Sequence, residues 1–114
     1  MPRLREKHLP HRVLIERIEG EGENGVTYAE PTAPRPAYAE QKSRLVVDRR
    51  STSATVGTEV TSSTFVVLLT ADDTLPGSYV TVWSGTPRER RSQVIDSAYF
   101  DYRGTPNHVE LFLE

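Results

Sequence analysis

Residues 61–83 read TSSTFVVLLTADDTLPGSYVTVW, and the reading of this stretch decides the fold. Its first half, Ser63 to Leu69, is a run of β-branched, aromatic and apolar residues bounded by polar ones, the pattern of a strand buried or nearly so on both faces. Its second half alternates, with Val80 and Val82 on one side and Tyr79, Thr81 and Trp83 on the other. Between the halves, Pro76 presets φ for the second position of a turn and Gly77 supplies the positive φ that a type II turn needs next. The stretch therefore reads as a β-hairpin with a wide loop, around which the core should form.

The rest of the chain supports a β-rich domain. Pro10 sits just before Arg12-Val13-Leu14-Ile15-Glu16-Arg17-Ile18-Glu19, which makes a strand more favourable than a helix there. From Ala37 to Asp48, Tyr38, Leu45, Val46 and Val47 suggest one long bent strand or two short ones around Glu40-Gln41-Lys42-Ser43. Residues 49–57 are polar and small, a loop ending at Gly57. After Trp83 a turn, Ser84 to Arg91, leads into a strand over Gln93 to Tyr102. The chain closes on His108 to Glu114, where Val109, Leu111 and Leu113 make an apolar face. A strand at the very end must be paired, because a bare apolar edge invites aggregation. Six or seven short strands with no helical period point to a small antiparallel barrel or sandwich.

At 114 residues the chain is expected to be one domain, residues 1–114, large enough for a modest core. It contains no cysteine, which excludes disulfides and thiolate metal sites. No apolar run approaches the ~20 residues a membrane-crossing helix needs, and Met1 to Glu6 lack the apolar core of a signal peptide. The expectation is a protein made in the host cytoplasm, without a membrane partner. A net charge of −2 argues against binding nucleic acid mainly through phosphate neutralisation.

Charge is uneven along the chain. Residues 1–19 carry five basic and three acidic side chains, and residues 20–40 carry one basic and four acidic. The first eleven residues form a basic arm with Arg3 and Arg5, continued by Arg12. A long loop follows the first strand, Gly20 to Pro36, where Gly20-Glu21-Gly22-Glu23-Asn24-Gly25 breaks periodicity and Pro31, Pro34 and Pro36 hold the backbone extended. A loop of this length carries an interaction or lacks fixed structure when free. Val26, Tyr28 and Tyr38 are its expected anchors on a partner.

The candidate chemical sites are weak. His8 and His11 are a pair of imidazoles with too few companions for a metal site. Asp72-Asp73 could chelate a hard cation, but such pairs more often accept backbone N–H bonds in Asx turns. Asp96, Asp101 and His108 have no nucleophile fixed beside a base, and there is no Gly-x-Ser-x-Gly elbow. The expectation is no enzyme and no cofactor. Arg88, Arg90 and Arg91 form a basic tip that could touch phosphates or an acidic partner, but the neighbouring sequence supplies no aromatic platform. Trp83, Tyr99, Phe100 and Tyr102 read as core or subunit-interface residues.

Several segments in order resemble the head-to-tail stopper (head-closure) proteins of long-tailed phages that infect actinobacteria. They are HRVLIER at 11–17, Gln41-Lys42-Ser43-Arg44-Leu45-Val46, Val60-Thr61-Ser62-Ser63-Thr64, the turn Pro76-Gly77-Ser78-x-Val80, and the ending Thr105-Pro106-Asn107-His108-Val109-Glu110-Leu111-x-Leu113-Glu114. The ending is the most specific of these, and the likeness covers nearly the whole chain. Ser84 to Arg91 departs from it, being longer and more basic than a tight turn.

The resemblance implies a small β-barrel with no catalytic residues, acting as a structural virion protein of the phage neck. Its implied partners are itself, as a six- or twelve-fold ring, the portal adaptor ring, the tail terminator or tail tube, and packaged DNA held in the channel without sequence-specific contact. Two other readings stand beside it: a tail-terminator or other connector subunit, and a small nucleic-acid-binding β-barrel with Arg88, Arg90 and Arg91 as its groove.

Overall fold

The computed structural model describes residues 9–22, 25–50, 54–101 and 107–114. Among these residues eight strands form: β1 (His11–Glu16), β2 (Ile18–Gly22), β3 (Gly25–Tyr28), β4 (Arg35–Val47), β5 (Glu59–Leu68), β6 (Tyr79–Val82), β7 (Arg90–Phe100) and β8 (His108–Leu113). Six of them close an antiparallel barrel in the order β1-β4-β5-β8-β7-β6, and β2 pairs with β3 alone as a two-stranded ribbon. The protein is an all-β barrel, as the turn spacing and β-branched runs predict.

The core follows from period-two alternation. One face of every barrel strand points inward: Val13 and Ile15 from β1, Ala37 and Ala39 from β4, Val66 and Leu68 from β5, Val80 and Val82 from β6, Val94 from β7, and Val109, Leu111 and Leu113 from β8. Residues two apart share a face because successive side chains in a strand alternate. The terminal strand is paired on both sides, with Val66 opposite Leu111 on β5 and Ser97 opposite Leu111 on β7.

The structure corrects the hairpin expected over 61–83. β5 pairs with β4 and β8, whereas β6 pairs with β1 and β7, so the two halves of that stretch lie on opposite sides of the barrel. The connection between them, residues 69–78, crosses one end of the barrel instead of turning back on itself. It contains a short 3-10 turn at Thr70–Asp72 and buries Asp72, Thr74 and Ser78. The local turn is as read: the Ser78 N–H donates to the Leu75 carbonyl at 3.2 Å, and Gly77 between them has φ 98°. A turn of this kind reverses the chain locally but does not choose the strand's partner. β5 instead meets β8, whose apolar alternation matches its own.

The long excursion between the first two barrel strands is present, but part of it is the β2–β3 ribbon rather than unpaired loop, with Glu21 opposite Val26 and Gly22 opposite Gly25. The prolines that argued against pairing all follow Tyr28, leaving the N–H groups of Val26 to Tyr28 available to a ladder. The ribbon is tied to the barrel at its base. The Ile18 N–H donates to Ser78 Oγ at 2.9 Å, the Ala29 N–H to the Arg17 carbonyl at 2.8 Å, and the Tyr28 ring meets Tyr79 edge-on at 5.3 Å.

Of residues 37–48, expected as one bent strand or two, all but Asp48 lie within one strand, β4, which has an irregularity between Gln41 and Arg44. Beyond it, β4 and β5 extend past the barrel and fold over its outer wall. Val46 joins Ile95 and Phe112 in a second apolar cluster flanked by Val60 and Phe65. Strand alternation puts Ile95 on this outer side while Val94 stays inside, and the irregular pairing of β7 between Val94 and Asp96 sets Asp96 opposite Phe112.

Candidate functional site

A concave surface feature lies where β1 begins. The registers fix it: His11 pairs with Ala37 of β4, and Leu14 pairs with Thr81 of β6. β4 thus runs past the start of β1 on one side while the end of β6 reaches it on the other. This brings His11, Tyr38, Glu40 and Gln41 together with Trp83 and Arg88 around an open cleft of about 390 Å³.

Local chemistry holds these groups in place. Pro10 has no N–H, and at this point the His11 side chain takes over from the strand ladder: its Nδ1 accepts from the Ala39 N–H at 3.0 Å. The neutral ring therefore carries its proton on Nε2. The His11 and Tyr38 rings lie 5.8 Å apart. The Tyr38 hydroxyl donates to Glu40 Oε2 at 2.5 Å, and this bond, followed by the charge of Glu40 and slight burial, raises the Tyr38 pKa above its usual 10.0.

Trp83 occupies the left-handed region with φ 50°, a conformation that costs energy for an aromatic residue. It is held there by the turn that follows, since its carbonyl accepts from the Thr86 N–H at 3.1 Å and from Thr86 Oγ1 at 2.7 Å. Its ring packs half-buried against the barrel core.

The basic tip is not one patch. Arg91 Nε donates to Glu16 Oε2 at 2.6 Å and Nη2 to Glu16 Oε1 at 3.2 Å, while its guanidinium lies 3.9 Å from the Tyr79 ring centre. The Glu16 hydrogen bonds are the main reason its pKa is raised. Arg90 Nη2 donates to the Glu114 carbonyl at 2.7 Å. The Arg88 guanidinium has no partner among the described residues, and it faces the cleft.

The remaining sequence candidates are dispersed. Arg3, Arg5, His8 and Tyr102 lie outside the described residues. Arg12 Nη1 donates to the carbonyls of Leu9 and His11. Val26 is half-buried on the ribbon and Tyr28 is engaged with Tyr79. Tyr99 is exposed, whereas Phe100 stacks on His108 at 4.5 Å. Asp72 accepts from Arg35 Nε at 2.9 Å, so its carboxylate serves an ion pair and not the expected Asx turn. Asp96 caps the next N–H, that of Ser97, and His108 Nε2 lies 3.0 Å from Glu110 Oε2, so Asp96, Asp101 and His108 form no joint site. Among the described residues no three His, Asp or Glu side chains converge to hold a metal ion, and no helix is long and apolar enough to cross a membrane.

Sequence reading missed a buried polar network. Asp48, fully buried, accepts from Arg50 Nε and Nη2 at 2.9 Å each. Arg50 Nη1 reaches Gln93 Oε1 at 3.0 Å and Glu114. Gln93 Nε2 in turn donates to the Gly77 carbonyl at 3.0 Å. The bond to Asp48 is the main reason the Arg50 pKa is raised. The network joins the β4–β5 connection, β7 and the segment crossing the barrel end. Its only sequence signal was an acid and a base two residues apart in a polar run, which is also how a solvated loop reads.

Comparison with protein-family models, with curated proteins and with solved structures gives no match.

Proposed function

We propose that the protein is a structural virion component of a phage neck, a ring subunit of the head-to-tail stopper kind that joins the portal and adaptor complex to the tail and helps retain packaged DNA. The observation that carries the reading is the architecture around the resemblance. Within the ending that most resembles the stopper family, His108–Leu113 form β8, the strand paired on both sides in the barrel wall, and HRVLIER forms β1 and its exit towards the ribbon.

A closed barrel leaves no free edge of its own, so contacts with neighbouring copies fall to what projects from it. Those are the β2–β3 ribbon and the outer wall beside the extended β4–β5 arm, where Leu45 is exposed. Lys42 and Arg44 there lie over the Phe65 and Phe112 rings at 5.7 and 5.2 Å. In this reading the protein is no enzyme and takes no cofactor. It is made in the host cytoplasm and ends in the virion neck, with itself, the adaptor ring, the tail and the DNA as partners. A tail-terminator role would place the same barrel one ring further along.

Phage particles produced without this protein test the proposal. Filled heads that lose their DNA and fail to join tails are the expected product. Heads that keep their DNA and carry tails would refute it, and DNA-retaining heads beside malformed tails would favour the terminator role.

A further inference from the structure

We propose that the cleft at the start of β1 binds one unpaired nucleotide of a single-stranded nucleic acid, the base against Trp83 and Tyr38, the phosphate on Arg88. The inference rests on the cleft alone and not on the neck reading.

Four observations converge on this ligand. Its volume, about 390 Å³, falls in the range of small-ligand sites. Its lining includes two aromatic rings, Tyr38 on β4 and Trp83 just after β6, and such rings can stack any base because every base has a π surface. Trp83, in the lining, is held in a strained backbone conformation, φ 50°, and strain of this kind persists where the surroundings impose it, commonly at ligand sites. Finally, Arg88 is the one arginine of the tip whose guanidinium is unpartnered among the described residues.

The polar groups narrow the ligand further. Glu40 Oε2 accepts from the Tyr38 hydroxyl, and the carboxylate can still accept from an exocyclic amine. Gln41 offers an amide that can donate and accept together, as suits adenine. Thymine has no exocyclic amine to offer them. The Glu40 charge opposes a simple carboxylate ligand, and Arg88 opposes a cationic one. A nucleotide places its amine and its phosphate at opposite ends and satisfies both. The sequence offered the tip arginines as phosphate contacts but not this cleft, because Tyr38 and Arg88 are brought together only by barrel closure.

Trp83 is the only tryptophan, so its fluorescence reports on the cleft directly. The test titrates the full chain at low salt with eight-nucleotide oligo-dA, oligo-dC and oligo-dT, a hairpin duplex, and an acidic octapeptide. The expected result is saturable quenching by oligo-dA and oligo-dC, about tenfold weaker binding of oligo-dT, consistent with one lost base-edge contact, and little response to duplex. The logarithm of affinity should fall against that of salt with a slope of about −0.7, as for a single phosphate contact on a single strand. Arg88→Gln should abolish that slope, and Tyr38→Ala should weaken binding by tenfold or more. Both side chains are exposed, and unchanged melting of each variant confirms that folding is intact. No saturable quenching, equal response to duplex and single strand, a salt slope indifferent to Arg88→Gln, or quenching by the peptide as strong as by oligo-dA would each overturn the proposal.

Discussion

Arg50 and Asp48, two residues apart in sequence, form a doubly hydrogen-bonded ion pair in which the carboxylate is fully buried and the guanidinium nearly so. Two charges removed from water stabilise a fold only while both are present, since the survivor of a broken pair keeps its desolvation cost without compensation.

Arg50→Met is therefore expected to cost about 3–5 kcal/mol, a large share of the roughly 5–15 kcal/mol that holds a typical domain together. Removing both charges, with Asp48→Leu added, should restore much of the loss. Urea denaturation of the two variants checks this. A single variant as stable as the parent would show that the pair carries no weight in the fold.

The terminal strand offers a contrast between neighbouring positions. Leu111 is fully buried in the barrel, whereas Glu110 is half-buried on the outer face, beside His108. Leu111→Ala should cost about 2–5 kcal/mol through lost burial and the cavity left behind. Glu110→Ala should change stability by less than about 1 kcal/mol. Thermal melting followed by circular dichroism separates the two, and equal small effects would mean that β8 is not packed.

Tyr38 is expected to titrate above its ordinary value because Glu40 accepts its hydroxyl proton and repels the phenolate. The sign for stability follows: a folded-state pKa raised above that of the unfolded chain gives a contribution fully present below pH 10 and lost as pH rises through the folded value. Nuclear magnetic resonance of ring-labelled tyrosine, with Tyr38→Phe to assign the signal, should show the transition moving down towards 10 in Glu40→Gln. A midpoint unmoved by that change would show that Glu40 does not set it.

What could be read from the chain beforehand was whatever is encoded locally. Alternation at Val80 and Val82, and at Val109, Leu111 and Leu113, marks strands and their inner faces, and Pro76-Gly77 marks a turn whose geometry the structure has. Pairing is another matter. Nothing within residues 61–83 says that β5 will meet β8, because partner choice depends on apolar faces far away in sequence. The β2–β3 ribbon was obscured by glycines that weaken the strand pattern without preventing a ladder, and by prolines that lie just beyond it. The cleft needed the same long-range information, since it joins residues near positions 11, 40 and 85 that no window of sequence contains.

The proposal that the protein is a neck ring subunit is tested most directly by a cryo-EM reconstruction of the neck in virions of its proposed phage. The account predicts a closed ring of six-stranded barrels between the adaptor ring and the tail, with density fitting β1 and β4 to β8 and a two-stranded ribbon leaving each barrel after β1. A neck whose rings are all filled by other chains, or this barrel located in the tail tube or absent from the particle, would contradict it.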